Sequence, residues 1–156
     1  MAHFADLTPC DYFTPQHDGK LFAVGWLARD HAYSRGDVSR NVVTRIHRFL
    51  IDPWEPGRFM GWHDCDFCRV SSGPRQLTLD NVSVDLGNTN LFIPAGDRLL
   101  VAPSLILHYI DAHEYSPPTE FCDAVLACPE MRSMDYLKMI RRAAPPALFA
   151  GNEVVM

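Results

Sequence analysis

Apolar and polar positions change rhythm several times along this chain, and each rhythm predicts an element. Residues 21–26, "LFAVGW", form a short apolar run that reads as a buried strand. In "VSRNVVTRIHRFLIDPW" the apolar positions Val42, Val43, Ile46, Phe49 and Leu50 recur at spacings of three and four. That is the stripe of a helix with one face against a core. Ser39 can cap its start and Pro53 stops it, so a helix is predicted over 40–51.

From 76 to 102 the period falls to two. Leu77, Leu79, Val82, Val84 and Leu86 alternate with polar residues, as in half-buried strands, and Asp80-Asn81 is placed for a tight turn. "NLFIPAGDRLLVAP" follows, two apolar runs around a "PAGD" turn, and predicts a β-hairpin.

After Pro103 the pattern turns helical again. Ser104 is a fair N-cap for "LILHYIDAHEY", and "SPP" at 116–118 ends that segment. A second helix opens at Thr119 and runs through "EFCDAVLAC" until Pro129 halts it. A third is predicted from Ser133 to about Ala143, with an irregular tail from about 144. No repeat, linker or low-complexity stretch interrupts the order. The expected fold is α+β, a single domain over residues 1–156. It combines a small antiparallel sheet, three to four helices and a zinc-knuckle-like loop.

Composition narrows the function more than the fold. The 156 residues are 47% hydrophobic and 21% charged, with a formal net charge of -5. The acidic balance argues against a nucleic-acid backbone binder, and no basic patch offsets it. The densest basic clusters, at 45–49 and 138–142, sit on predicted helix faces. No window approaches the roughly 18 apolar residues of a membrane span. The N-terminal "MAHFADLTPCDYF" lacks the basic start and apolar run of an export signal. The expectation is a cytoplasmic protein with neither a nucleic-acid nor a membrane partner.

In a reducing compartment the five cysteines are not expected to pair as disulfides. Attention falls on "GWHDCDFC", residues 61–68. Cys65 and Cys68 have the spacing that turns two sulfurs towards one ion, and zinc requires four ligands in a tetrahedral shell. His63, two positions before Cys65, would point to the same side in an extended segment. Further donors lie in "LHYIDAHEY", where His108 and His113 complete a C-x2-C…H-x4-H pattern.

Helix geometry complicates that pair, because positions five apart differ by about 140° around an ideal helix. Both rings reach one ion only if the helix loosens at its end; otherwise one binds and His63 completes the set. His108 is the stronger of the two, since its apolar neighbours predict burial and a buried ring needs a partner. Asp64, Asp66 and Asp111 are placed to orient a ligating imidazole.

Competing readings stay open. A second reading of the cysteine pair is redox-active, but that chemistry wants the first cysteine at a helix N-terminus, and "RVSSGPRQ" reads as loop. It also reads as two small packing residues. A catalytic zinc would keep one position open, yet neither H-E-x-x-H nor an H-x-E ahead of the cysteines is present. No catalytic residue is assigned. Cys10 reads as packing or a further ligand candidate, and Cys122, Cys128 and the aromatics Phe4, Tyr12, Phe13, Trp26, Trp54, Phe59 and Trp62 read as packing.

Four stretches taken together, "FADLTPCDYF", "VGWL", "GWHDCDFC" and "VAPSLILHYIDAHEYSPPTEFCDAV", resemble a family of small uncharacterised bacterial proteins. That family shares H-x-C-x-F-C and A-P-x-L-I-x-H-Y-x3-H-x-Y-x-P-P-x-E-F motifs. The resemblance spans roughly residues 4–126. It implies that His63, Cys65, Cys68, His108 and His113 belong to a shared pattern, and it implies no activity. Cys10 stands where the family has tyrosine, and the stretch 70–90 is longer than the family's. The resulting expectation is a zinc-binding protein with a structural Cys/His site that serves as a binding or accessory partner of another protein, immunity-type proteins included. The alternative is a small zinc-dependent enzyme with an open metal position.

Overall fold

A computed structural model describes residues 3–56, 63–68 and 73–149. The chain order is β1 (Leu21–Ala23), α1 (Arg40–Phe49), β2 (Gln76–Leu79), β3 (Val82–Asp85), β4 (Asn90–Ala95), β5 (Arg98–Pro103), α2 (Ile106–His113), α3 (Thr119–Ala127) and α4 (Met134–Ala143). A 3-10 turn follows at Pro146–Phe149. The fold is α+β.

Its centre is a three-stranded sheet in the order β1-β5-β4. β4 and β5 form the hairpin that the "PAGD" turn predicts, with Ala95 opposite Arg98. Gly96 takes the turn at φ +66°, a conformation glycine adopts without steric cost. β1 runs parallel to β5, so the sheet is mixed where the alternation suggested purely antiparallel pairing. β1 also stops at Ala23, short of the predicted end at Trp26. Gly25 turns the chain at φ +76°, and its amide donates to Asp6 Oδ1 at 3.0 Å instead of to a neighbouring strand. Trp26 then inserts beneath the sheet and donates its indole N–H to the Val101 carbonyl at 2.9 Å.

β2 and β3 pair as a separate antiparallel ribbon. Asp80 and Asn81 make its turn with φ of 49° and 65°. Two successive left-handed residues form the turn whose twist matches that of the flanking strands, and asparagine and aspartate tolerate it. Val84 and Leu86 carry the ribbon's apolar face into the core.

The helices cover the sheet as their stripes predict. α1 buries Val42, Ile46 and Phe49, and Ser39 Oγ accepts the amide of Asn41 at 3.2 Å as its cap. α4 buries Tyr136, Leu137 and Ile140 beneath its own cap, Ser133, while Met134 stays exposed. Tyr136 donates its hydroxyl to the Phe92 carbonyl at 2.7 Å, which fastens α4 to β4. α2 starts later than expected. Ser104 does not cap it, because its hydroxyl accepts the amides of Gly87 at 2.8 Å and Thr89 at 3.4 Å. That bond pins the loop between β3 and β4 against the start of α2, directly beside the backbone that carries His63. Among the described residues no helix is long and apolar enough to cross a membrane.

Candidate metal centre

The segment 63–68 enters the site along the 87–89 loop, where the amide of His63 donates to the Gly87 carbonyl at 2.6 Å. A tight turn then carries Cys65 to Cys68, whose amide reaches back to the Cys65 carbonyl at 3.3 Å. The amides of Phe67 and Cys68 also point at Cys65 Sγ. Amides aimed at a sulfur favour its charged form, which is the arrangement a metal-binding knuckle needs. Phe67, at the tip of the turn, is held edge-on against Tyr33 and Tyr109, with ring centroids 5.4 and 6.0 Å away. Arg29 donates to the Asp66 carbonyl at 2.6 Å. The turn is therefore anchored from three sides.

α2 supplies the opposite half. His108 is buried on the helix and His113 is its last residue. The helix loosens there. The amides of Glu114 and Tyr115 both go to the Tyr109 carbonyl, five and six residues back, and not to the residue four back. Glu114 takes the left-handed conformation at φ 57°. This wider last turn swings His113 round until its Nε2 is 3.2 Å from His108 Nε2. The Tyr33 hydroxyl donates to the His113 carbonyl at 3.0 Å and holds that last turn open.

The structure thus brings four of the five sequence candidates together. Cys65, Cys68, His108 and His113 have ligand atoms that all lie within 4.8 Å of one another. Cys65 Sγ is 3.4 Å from His113 Nε2, and Cys68 Sγ is 3.3 Å from His108 Nε2 and 3.6 Å from His113 Nε2. Tetrahedral zinc bonds of about 2.3 Å to sulfur and about 2.0 Å to nitrogen require separations of about 3.5 Å between N and S and about 3.3 Å between two N. Those four separations are close to that shell and every pair lies within 4.8 Å, so two thiols and two imidazoles suit a zinc-type ion.

His63 does not join the four. Its amide is tied to the 87–89 loop, and its ring turns to Tyr12, with Nε2 3.3 Å from the phenolic oxygen. Trp62, Phe59 and the remainder of 57–62 lie outside the described residues.

Among the four donors, burial dominates the electrostatics of Cys65, His108 and His113. Burial pushes the Cys65 thiol up to about 11, with the nearby Cys68 adding to the rise. Burial, and then the neighbouring His113, lower His108, while Asp111 opposes this weakly. His113 is lowered by burial and by Arg35. Two neutral imidazoles beside two thiols are the donors a dication can claim by displacing the thiol protons. The other cysteines share the rise but not the cluster. Burial raises Cys10 to about 11 and Cys128 to about 12, Cys122 also rises, and none of these three joins the cluster.

Gly73 is a site residue that sequence reasoning missed. It sits at φ +92°, and a Cβ there would lie 2.9 Å from Cys65 Cβ and 3.8 Å from His108 Nε2. Its only sequence signal is a glycine before proline a few positions after the cysteine pair.

A family model described as Domain of unknown function (DUF7919) matches residues 2–126. The chain belongs to this family. The match takes in the knuckle and both histidines and ends within α3, so α4 lies beyond it. No curated protein and no solved structure matches the chain.

Proposed function

We propose that the protein is a zinc-stabilised cytoplasmic binding protein whose ion is structural and is held by Cys65, Cys68, His108 and His113. One observation carries this reading. Four protein donors lie within 4.8 Å of one another, enough to fill a tetrahedral shell, and a shell filled by protein leaves no position for a reacting water. Bound there, the ion supplies a cross-link between the 63–68 turn and α2, two segments that meet only across the core. Phe67, Tyr33 and Arg29 orient that cross-link. Its absence would leave the buried Cys65 thiol and the half-buried Cys68 thiol against two imidazoles with no charge to bind them together.

On this reading the cell uses the protein through its surface, as an accessory or immunity-type partner of another protein. Its acidic balance and a site with no carboxylate among its four donors support that role. Replacement of Cys65 by Ser tests the metal assignment. It is expected to abolish stoichiometric zinc and lower the melting temperature together, because binding free energy at a structural site is folding free energy. A variant that loses zinc yet melts with the wild type would refute the structural role. Purification of the wild type as a metal-free Cys65–Cys68 disulfide would refute zinc binding itself.

A further inference from the structure

The segment 29–35, "RDHAYSR", forms the shared wall of two cavities. One, of about 460 Å³, lies between this wall and residues 3–6, with Phe4 and Leu27 among its lining. The other, of about 330 Å³, lies between the wall and Phe67 at the tip of the knuckle. His31, Ala32 and Tyr33 line both, so the two cavities adjoin along this segment. Each is of the size that takes a small ligand. None of the four metal donors lines either.

The two cavities differ in chemistry. In the larger, the imidazoles of His3 and His31 stack with centroids 3.7 Å apart and planes 6° from parallel. The stacked pair lines this end together with Phe4 and Leu27. Asp6 lines the same end, but the Tyr115 hydroxyl reaches both its carboxylate oxygens and Gly25 donates to one of them. The smaller end carries Arg29 and Arg35. Arg29 donates to the Asp66 carbonyl, and Arg35 lies 4.7 Å above the Tyr33 ring with Glu114 3.5 Å away. A guanidinium has five N–H donors, so each keeps several for a ligand. Asp30 is the one carboxylate that lines this end. In a chain of net charge -5, two arginines lining one cavity beside Tyr33 and Phe67 make a place that suits an anion.

We propose that the two cavities form one cleft that binds a small organic anion. Its flat apolar body lies along His3, His31, Phe4 and Leu27, and its carboxylate or phosphate sits between Arg29 and Arg35. Both oxyanions suit the planar guanidinium fork, so the shared chemistry is an acidic group on a ring.

Calorimetric titration of the zinc-loaded full chain with benzoate, phenyl phosphate, inorganic phosphate and benzyl alcohol tests this. Benzoate or phenyl phosphate should saturate one site, and which of them binds tighter identifies the oxyanion. Inorganic phosphate and benzyl alcohol should each bind at least about tenfold more weakly. Arg35→Ala should weaken the aryl anion by about tenfold or more. Ala32→Trp, which fills the cleft from an exposed position, should abolish binding. Both variants should keep full zinc content, which separates this outcome from failure of the metal assignment. Arg29→Ala is a poorer test, since Arg29 also holds the knuckle. No saturation by either aryl anion up to about 10 mM overturns the proposal. So does binding that survives both substitutions, or inorganic phosphate binding as tightly as phenyl phosphate.

Discussion

At the scale of single residues, the metal centre divides into donors that the sequence exposes and supports that it hides. Cys65 and Cys68 are legible because the chemistry itself sets their spacing. Gly73 is not, because its need arises from a long-range approach of the backbone to Cys65 and His108. Gly73→Ala is therefore expected to lower stability by about 1–3 kcal/mol and to weaken zinc binding, from a strained φ and a 2.9 Å Cβ contact together. Urea unfolding and competition with a zinc chelator measure the two effects.

Glu55 gives a residue-scale prediction away from the site. Burial raises its carboxyl from 4.5 to about 7, against hydrogen bonds from Asn90 and the charge of Arg132 that pull it down. Its folded pKa lies above its unfolded one. Its contribution to stability is therefore fully present below the unfolded value and is lost as pH rises through about 7. Between about pH 5 and pH 8 the wild type should lose more stability than Glu55→Gln. Parallel pH profiles for the two proteins would contradict the assignment.

At the scale of elements, helices and hairpins follow their periods, while caps and ends depend on the neighbours they meet. Ser39 and Ser133 cap α1 and α4 as the local pattern predicts. Ser104 has the same local credentials, but it satisfies two amides of the 87–89 loop instead. Substitution separates the two roles. Ser39→Ala, at a helix start, should cost about 1 kcal/mol and leave zinc content untouched. Ser104→Ala orphans the buried amide of Gly87, should cost about 1–3 kcal/mol, and should loosen the loop that holds the His63 backbone. Denaturant titration ranks the pair, and a smaller effect for Ser104 would count against this account of the loop.

The end of α2 shows the same limit. A spacing of five is wrong for an ideal helix, and the sequence offers only the nearby prolines as a hint of loosening. What brings His113 round is the tertiary hold of Tyr33 on its carbonyl and the left-handed Glu114. The exclusion of His63 was equally hidden, since it follows from pairing with Gly87 and Tyr12, residues far away in the chain.

At the scale of the whole molecule, the α+β architecture was legible and the parallel pairing of β1 with β5 was not. A strand of three residues carries no record of its direction, and its partner lies more than seventy positions away. One core joins the sheet and the four helices, and the knuckle rests on it through Cys65 and Phe67. An ion held by the four donors would tie the 63–68 turn to the helix that follows the sheet. Removal of zinc should accordingly act on the whole fold. A chelator is expected to shift thermal unfolding downward in the wild type and to leave Cys65→Ser unaffected, as calorimetric scans would show.

X-ray absorption at the zinc edge of the purified protein addresses the central claim without any substitution. The account predicts one zinc per chain, with two sulfur neighbours at about 2.3 Å and two nitrogen neighbours at about 2.0 Å. A shell that includes a water or carboxylate oxygen, a different sulfur count, or protein without bound metal would contradict it.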